Sequence, residues 1–522
     1  MKQNAQVPVL VVGAGPAGLT SSLLLAHQGI PVMCIDKRTA VSTLPRARGV
    51  HARAMEILHQ CGVAKDLRRE ALDIESGAEW RSDLLSAPFR DTEAGGPALA
   101  QVSPHEGLAL SQDLFETTLR THLSTRELAR LELGIELETF HEIAGGVECA
   151  LVDRATGVRS TVVSRYLVAA DGWRSTIRGG LGIGVTGPED LGSMRAITFR
   201  ADLTPWTSAR PRGIYFLTTS SAVLLRTHPD HRWVLNVPLT DSPDAAEDAR
   251  AVVLRVLGGL SVEVEILTDS QWTAAAQTAD HFSRGRTFLV GDAAHRVPPV
   301  GATGVSSAVA DAHNLAWKLA AVINDQAGES LLDSYAVERE AVAATTTEEA
   351  RLAWAAMTDP GRVPFTGRSL RQLDMGYQYR SVAVAEHDDQ TTDIPDDYRP
   401  NAAPGSRAPH LWLTAEDPQR SIIDLFDRGF TLLTGAEGQP WTEVVNDVRT
   451  RTTTPMTCHI IHETTWPDLY GVTPSGAVLV RPDGHVAWRQ QGPPKPVTKG
   501  GANNTQATDL AAVLNSVTGT KS

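Results

Sequence analysis

The chain has 522 residues, too many for one hydrophobic core, so the sequence predicts two or three domains. Its composition, 42% hydrophobic and 21% charged, is ordinary for a globular protein. The formal net charge of −13 disfavours nucleic acid and anionic membrane surfaces as partners. No apolar run approaches the roughly 20 residues of a membrane span and no signal pattern opens the chain, so we expect neither a membrane span nor export.

The four cysteines are scattered along the chain, without a Cys-x-x-Cys pair and without metal-like spacing to histidines. They are Cys34, Cys61, Cys149 and Cys458. We therefore expect a cytoplasmic protein with no disulfide framework and no metal.

The N-terminal segment has a strand, glycine turn, helix and strand in succession. Residues 9–12 form an apolar run, GAGPAG follows, residues 19–27 are helix-like, and residues 31–35 form a second run that ends at Asp36. In this context the G-x-G-x-x-G pattern predicts a dinucleotide site, but it does not distinguish FAD from NAD.

Each polar or glycine position of this motif has a physical role. Gly13 permits the tight turn, Gly15 lets the backbone approach a pyrophosphate, and Gly18 lets helix and strand pack closely. Asp36 lies 18 positions after Gly18, where an acid can accept a hydrogen bond from a ribose hydroxyl.

A second strand, loop and helix spans residues 286–324. The apolar run 288–290 ends at Gly291-Asp292, a loop rich in Pro and Gly covers residues 298–304, and apolar residues then recur at helical steps. Loop glycines and a helix N-terminus favour an anionic ligand, although a plain tight turn is the alternative interpretation.

Two shorter loops carry further signals. The apolar run 166–170 ends in Asp171-Gly172, at the strand end where α/β sheets bind ligands, although Asp-Gly is also a common turn. Arg46 and Arg48 lie in a loop where they can be solvated, or can meet phosphates or a flavin edge.

The middle and the end of the chain change in pattern. Strand-like segments over residues 194–266 predict an inserted, largely antiparallel sheet. A linker-type composition near residues 400–406 precedes a small α/β tail.

Three segments together resemble the FAD-dependent aromatic hydroxylases, the single-component flavoprotein monooxygenases related to p-hydroxybenzoate hydroxylase, phenol hydroxylase and aromatic-polyketide hydroxylases. They are GAGPAGL with Asp36, AADGWRS, and GDAAHRVPPVGATG with DAHNLAWKLA. The tail is similar to the thioredoxin-like C-terminal domain of the longer members. Since it holds only Cys458, we expect a structural or dimerising role for it and no redox role.

The resemblance implies an α/β fold with a Rossmann-type FAD-binding domain, an inserted antiparallel-sheet substrate domain and a thioredoxin-like C-terminal domain. We expect the FAD-binding domain over residues 1–75, 100–175 and 275–398. The substrate domain is expected over residues 76–99 and 176–274, and the C-terminal domain over residues 399–522.

The resemblance also assigns cofactor contacts. The ADP half of FAD would lie against residues 13–18 and Asp36, Arg46 would lie beside the flavin, and Asp171-Gly172 would serve the pyrophosphate and NAD(P)H use. Asp292 would accept from the ribityl chain, and residues 298–304 would cradle the isoalloxazine ring. The full expected set is Gly13, Gly15, Pro16, Ala17, Gly18, Asp36, Lys37, Arg46, Gln112, Asp171, Gly172, Gly291, Asp292, Pro298, Gly301, Thr303, Gly304 and Val305. One departure is Ser306-Ser307, where relatives usually carry Asn.

For the substrate, the resemblance of the segment RWVLNV to a pocket-lining strand suggests Tyr215, Arg226 and Trp233, with sheet packing as the rival interpretation. No catalytic side chain is expected beyond the flavin itself. His295 is expected to be an ordinary surface or hydrogen-bonded residue, with a catalytic role as the alternative.

The implied reaction is hydroxylation of a phenolic or polyketide-type small molecule with NAD(P)H and O2 through a flavin hydroperoxide. NADPH is the reductant we expect, with NADH left open, and the protein would be a monomer or homodimer. Baeyer–Villiger or epoxidising oxygenation and a non-catalytic flavin redox sensor are the alternatives. A flavin halogenase would carry a Trp-x-Trp-x-Ile signature, which this sequence lacks.

Overall fold

The computed structural model describes residues 5–42, 44, 48–92, 99–207, 212–239, 247–358, 367–385, 395–413, 420–494 and 510–520. In chain order the strands are β1 Ala5–Val12, β2 Val32–Asp36, β3 Gly49–Val50, β4 Glu75–Arg81, β5 Arg90–Thr92, β6 Leu108–Ala109, β7 Ala129–Leu133, β8 Ile135–Ile143, β9 Gly146–Asp153, β10 Arg159–Ala169, β11 Val185–Thr186, β12 Ser193–Arg200, β13 Arg212–Leu217, β14 Ala222–His228, β15 Arg232–Pro238, β16 Glu265–Thr273, β17 Gln277–Ala279, β18 Ser283–Arg284, β19 Thr287–Leu289, β20 His295–Arg296, β21 Trp412–Leu413, β22 Arg420–Ser421, β23 Phe430–Gly435, β24 Met456–Ile461, β25 Ala477–Val480 and β26 Val486–Gln490.

The helices are α1 Pro16–His27, α2 Ala52–Gln60, α3 Ala64–Glu70, α4 Gln112–Ser124, α5 Thr176–Gly180, α6 Thr204–Thr207, α7 Ala249–Val256, α8 Thr303–Ile323, α9 Ser330–Thr358, α10 Leu370–Met375, α11 Gln439–Arg451, α12 Trp466–Tyr470 and α13 Leu510–Thr518. Within the described ranges, every helix is too short or too polar to span a lipid bilayer.

An eight-stranded sheet organises the nucleotide-binding part. Its main path runs β18-β19-β10-β1-β2-β7, and β1 pairs in parallel with both β10 and β2. The core of β1 is completely buried, as expected for a strand covered on both faces. Because β1, β2, β10 and β19 are parallel, the segments that follow them meet at one edge. The predicted strands at residues 9–12 and 288–290 are confirmed.

A seven-stranded sheet forms the second layer, in the order β16-β12-β15-β14-β13-β4-β5. It is antiparallel except where β4 pairs in parallel with β13. One face packs against α7, which buries Val252, Val253 and Val256 there. The other face is turned away from this core, because side chains alternate along a strand.

The C-terminal part has a four-stranded sheet in the order β24-β23-β25-β26. The β23–β24 pair is parallel and the other two pairs are antiparallel. Helix α11 buries Trp441, Val445 and Val448 against it. This is the thioredoxin-like domain that the sequence predicted, while the exact domain boundaries stay predictions.

Candidate active site

In the glycine turn after β1, two glycines are required by the packing of the fold and one borders space that a ligand can occupy. Gly13 has φ +109°, and a Cβ there would overlap the carbonyl of Ala170. A Cβ on Gly18 would overlap the carbonyl oxygen of Gly13. At Gly15 the φ is an ordinary −85°, and the nearest atom to an added Cβ is Glu116 Oε1 at 3.9 Å. Gly13 and Gly18 are therefore needed for packing, whereas the space beside Gly15 is open to a ligand.

The residues around this turn are held by Asp36 and α1. Asp36 Oδ2 accepts from Ala14 N at 2.8 Å and Oδ1 accepts from Arg38 N at 2.8 Å. The carboxylate thus braces the turn and still lines the cleft, as does the exposed Lys37. Pro16 is the first residue of α1 and Ala17 follows it, next to Gly291.

Asp171 and Gln112 also line the cleft. Asp171 Oδ2 accepts from Ile177 N at 3.2 Å, whereas its Oδ1 is buried without a hydrogen-bond partner. Gly172 follows with φ +84°. Gln112, at the start of α4, donates to Glu116 at 2.7 Å. An unsatisfied carboxylate oxygen beside the glycine turn fits a site that a hydroxyl-bearing cofactor completes.

The segment after β19 is fixed by a buried ion pair that the sequence did not reveal. Gly291 N donates to Asp311 Oδ2 at 3.0 Å, and His295 Nε2 lies 2.7 Å from the same oxygen. Arg339 Nε donates to Asp311 Oδ1 at 2.7 Å. Burial would raise the pKa of Asp311, but the charges of His295 and Arg339 lower it to about 2. His295 is hydrogen-bonded and buried, and Asp292 projects into the cleft.

The 298–305 loop leads into the long helix α8. Gly301 has φ +75° and Ala302, at the helix N-cap, has φ +56°. The first helical residues, Thr303, Gly304 and Val305, line the cleft together with Pro298. Thr303 Oγ1 is buried without a partner. The positive end of a 21-residue helix therefore faces the cleft.

Hydrogen bonds of His51, which directly follows β3, link that segment to the 298–305 loop and to the start of α8. Ser306 Oγ accepts from His51 N at 3.0 Å, and a ring nitrogen of His51 lies 2.6 Å from Gly301 O. The serine that replaces the usual Asn is thus engaged with the protein itself. The predicted residue Arg46 lies outside the described residues.

A single cleft of about 3210 Å³ joins these elements to the free face of the seven-stranded sheet. The sheet contributes side chains at alternate positions, namely Ile214, Phe216, Val223, Leu225, Thr227, Val234 and Asn236. Trp272 and Trp354 close another side, edge to face with ring centroids 5.8 Å apart. Within the described ranges, no cluster of three His, Cys, Asp or Glu side chains could hold a metal ion.

The structure places the three predicted substrate residues away from the cleft. Tyr215 and Trp233 are 0% and 1% exposed in the core against α7, where Tyr215 OH accepts from Arg212 N and Trp233 Nε1 donates to Ala201 O. Arg226 pairs with Trp233 in register and lies on the same face. The substrate assignment was wrong by one position in each strand, because their neighbours line the cleft.

Arg48 is a half-buried cation of the cleft, for which the sequence left a solvated position and a contact with phosphates or a flavin edge open. Nη1 of Arg48 is buried and has no hydrogen-bond partner. Burial lowers the pKa of Arg48 to about 10. In the sequence, the one indication of this position was that Arg48 lies in a loop near a predicted ligand site.

Comparison with known proteins identifies the family of the chain. The profile of the FAD-binding-domain family matches residues 6–350, and that of the C-terminal domain of aromatic-ring hydroxylases matches residues 401–520. The chain therefore belongs to the FAD-dependent aromatic-ring hydroxylases, as the sequence motifs predicted.

Individual relatives cover nearly the whole chain. Tetracenomycin B2 monooxygenase-dioxygenase of Streptomyces olivaceus is 34% identical over 98% of this chain and 98% of its own length. 4-Methyl-5-nitrocatechol 5-monooxygenase of a Burkholderia species is 33% identical over 94% and 95%. A ternary complex of aklavinone-11 hydroxylase with FAD and aklavinone matches with a TM-score of 0.88 and 31% identity, over 99% of this chain and 100% of the other. The protein is an FAD-dependent aromatic-ring monooxygenase.

Proposed function

We propose that this monooxygenase uses NAD(P)H and O2 to hydroxylate a planar, multi-ring phenolic substrate of the polyketide type. The observation that carries the proposal is the continuous cleft between the glycine turn and the apolar sheet face. Pockets for single small ligands have volumes of about 300–1,000 Å³. A volume of about 3210 Å³ accommodates a dinucleotide together with a multi-ring molecule.

The residues at the nucleotide edge fit FAD. The open space at Gly15 suits a pyrophosphate, Asp292 offers a carboxylate to ribityl hydroxyls, and the N-terminus of α8 suits the pyrimidine side of the flavin ring. When bound, the flavin supplies the redox chemistry with NAD(P)H and O2. The chain itself positions the ring, holds the ribityl chain and favours negative charge beside α8.

The sheet face supports an aromatic substrate. Phe216, Leu225 and Val234 offer apolar contact that excludes water from the reacting ring. Trp272 Nε1 donates to Asn236 Oδ1 at 3.0 Å, which fixes the Asn236 amide and leaves its NH2 group available to a substrate oxygen. Asn236 would orient a carbonyl or phenol group.

The rim of the cleft supports NAD(P)H as reductant. Trp173 is 43% exposed, and the guanidinium carbons of Arg174 and Arg296 lie 4.3 and 4.5 Å from its ring centroid. Arg296 also donates to Gln277 Oε1 and Thr273 O, both at 3.3 Å, and the nearby carboxylates of Asp292 and Glu189 favour its charged form. An aromatic surface flanked by two arginines suits the adenine and phosphates of a dinucleotide.

For the compartment we propose the cytoplasm. All four cysteines are free, and burial raises the pKa of Cys34, Cys61 and Cys149 to about 12, so these thiols remain protonated.

A turnover assay tests the proposed function. Purified holoprotein is mixed with NADPH or NADH and with a panel of single-ring phenols and polycyclic hydroxyquinones. We expect polycyclic compounds to stimulate NAD(P)H oxidation and to gain one oxygen atom from isotope-labelled O2. Stimulation by nitrocatechols alone would favour the single-ring substrate named for the Burkholderia relative. Absence of any substrate-stimulated oxidation would favour the redox-sensor alternative. Arg174→Ala should raise the KM for NADPH.

A further inference from the structure

Arg48 is half-buried and differs from the fully buried arginines of this protein. Arg53, Arg339, Arg407 and Arg481 all pair with carboxylates. Arg48 has no ion pair anywhere in the described residues, and its Nη1 is buried without a hydrogen-bond partner. Withdrawing part of a guanidinium from water without a counter-charge is costly unless a ligand supplies one.

The guanidinium of Arg48 lies against the substrate sheet. A Cβ added to Gly213 of β13 would overlap Arg48 Nη1 and would lie 2.7 Å from Ile74 Cδ1. Gly213, Ile74 and Arg48 all line the cleft. The neighbouring Arg212 is already neutralised, because its Nη2 donates to Asp91 Oδ2 at 2.7 Å.

The backbone beside Arg48 belongs to the flavin side of the same cleft. A Cβ on Gly49 would lie 3.0 Å from Ala302 Cβ, at the N-cap of α8. Leu110 N donates to Arg48 O at 2.9 Å, which fixes the strand start. Arg48 therefore lies where the cofactor half of the cleft meets the sheet.

We propose that Arg48 is a specificity-determining residue that binds a phenolate or enolate oxygen of the aromatic substrate. The assignment rests on the proposed function. Its side chain packs on the sheet and not on the glycine turn, which favours substrate over cofactor as the partner. The phenol releases its proton to solvent on binding, and the guanidinium stabilises the resulting oxyanion by a charge-assisted hydrogen bond. A deprotonated phenol ring is richer in electrons, as electrophilic oxygen transfer requires.

The test uses FAD-loaded protein without reductant, so that binding is measured without turnover. The probe is 1,2-dihydroxyanthraquinone, whose visible absorption moves to longer wavelength on deprotonation. Arg48→Met should weaken probe binding about 10- to 100-fold and remove the phenolate band at neutral pH. Arg48→Lys, which keeps the charge, should retain much of that band. FAD affinity and melting temperature should not change.

Arg371→Met is the matched control, because it removes a cation of the same cleft that is already paired with Asp397 at 2.8 Å. It should leave the phenolate band intact. An unchanged band in Arg48→Met, or an equal loss in both variants, would overturn the assignment of Arg48. A fall in FAD affinity would instead assign Arg48 to the cofactor and also overturn it. If the wild-type protein binds no phenol of any ring number, the proposed substrate class fails first.

Discussion

Two regions of this protein treat buried charge in opposite ways. Where the C-terminal domain meets α8 and α9, both oxygens of Glu338 are paired: Arg481 donates to them at 2.6 and 3.0 Å, and Lys318 donates at 2.7 Å. Burial would raise the pKa of Glu338, but the charges of Arg481 and Lys318 lower it to about 2. Arg481 also pairs with Asp483.

In the cleft, by contrast, Arg48 Nη1, Asp171 Oδ1 and Thr303 Oγ1 are buried without partners. In the first region, charges that the chain pairs internally hold elements together, whereas these three cleft atoms are open to a ligand. Buried atoms without partners also occur away from the cleft, for example His485 Nε2 and Trp317 Nε1. The two regions are also joined, because Arg339 follows Glu338 in α9 and holds Asp311, which binds Gly291 N.

The largest expected effect on stability is at the buried ion pairs of Arg481 with Glu338 and Asp483. Arg481→Met leaves Glu338 and Asp483 buried with fewer partners, which should cost about 3–5 kcal/mol of unfolding free energy. Urea unfolding of FAD-loaded protein measures this. Arg451→Met is the control, because its pair with Asp447 is half exposed and should contribute at most about 1 kcal/mol. Equal losses in the two variants would contradict the contrast between the regions.

Substitutions of Gly15 and Gly18 in the turn after β1 test the difference between a position that borders a ligand and one that is packed against protein. Gly15→Val should abolish FAD binding with little change in the melting temperature of the apoprotein, because the added side chain enters ligand space and not protein. Gly18→Ala should instead destabilise the apoprotein, since its Cβ overlaps Gly13 O. Fluorescence titration with FAD and thermal unfolding separate the two outcomes. Full FAD retention in Gly15→Val would remove this turn from the site.

Asp292 should show a smaller effect, limited to the cofactor. Asp292→Ala leaves ribityl hydroxyls without an acceptor, and a lost hydrogen bond to a charged group costs roughly 1.5–3 kcal/mol, or about 10- to 150-fold in FAD affinity. Asp292→Asn keeps an acceptor and should cost less. Both FAD dissociation constants and melting temperatures are measured. A shift in melting temperature with unchanged affinity would make Asp292 a structural turn residue.

The smallest effect is expected at Cys458. Burial raises the pKa of its thiol to about 11, so the thiol stays protonated, and Cys458 forms no disulfide with any of the other three cysteines. Cys458→Ser should leave substrate-stimulated NAD(P)H oxidation nearly unchanged. Loss of that activity would assign a redox role to the C-terminal domain.

The meeting of the predicted FAD-contacting segments at one sheet edge was predictable, because their signals are local; the contacts themselves stay predictions. The G-x-G-x-x-G turn and Gly291-Asp292 each lie directly after an apolar strand, and parallel strands bring such segments to one edge. The ion pairs of Glu338 were not predictable, because the partners are far apart in sequence: Glu338 and Arg481 are separated by 143 residues. The polar residues Asp311, Asn314 and Lys318, at helical spacing inside an apolar segment, were the one local sign of buried partners.

The prediction of the substrate-contacting residues was wrong for a different reason. Residues 233–235 of β15 are Trp, Val and Leu, apolar on both sides, so alternation gave no indication of which face meets the cleft. A shift of one residue exchanges every side chain between the two faces. Only the packing of α7 against Trp233 and Leu235 determines that Val234 lines the cleft.

The two-faced sheet has a consequence for how the protein can change. Phe216, Val223, Leu225 and Val234 line the cleft, while the residues beside them in each strand form the core with α7. Substitutions at the cleft positions alter the shape of the binding surface while leaving the supporting core packed. Substrate preference can therefore diverge among descendants of this sequence, or be selected in a library of these four codons, without a matching loss of foldability.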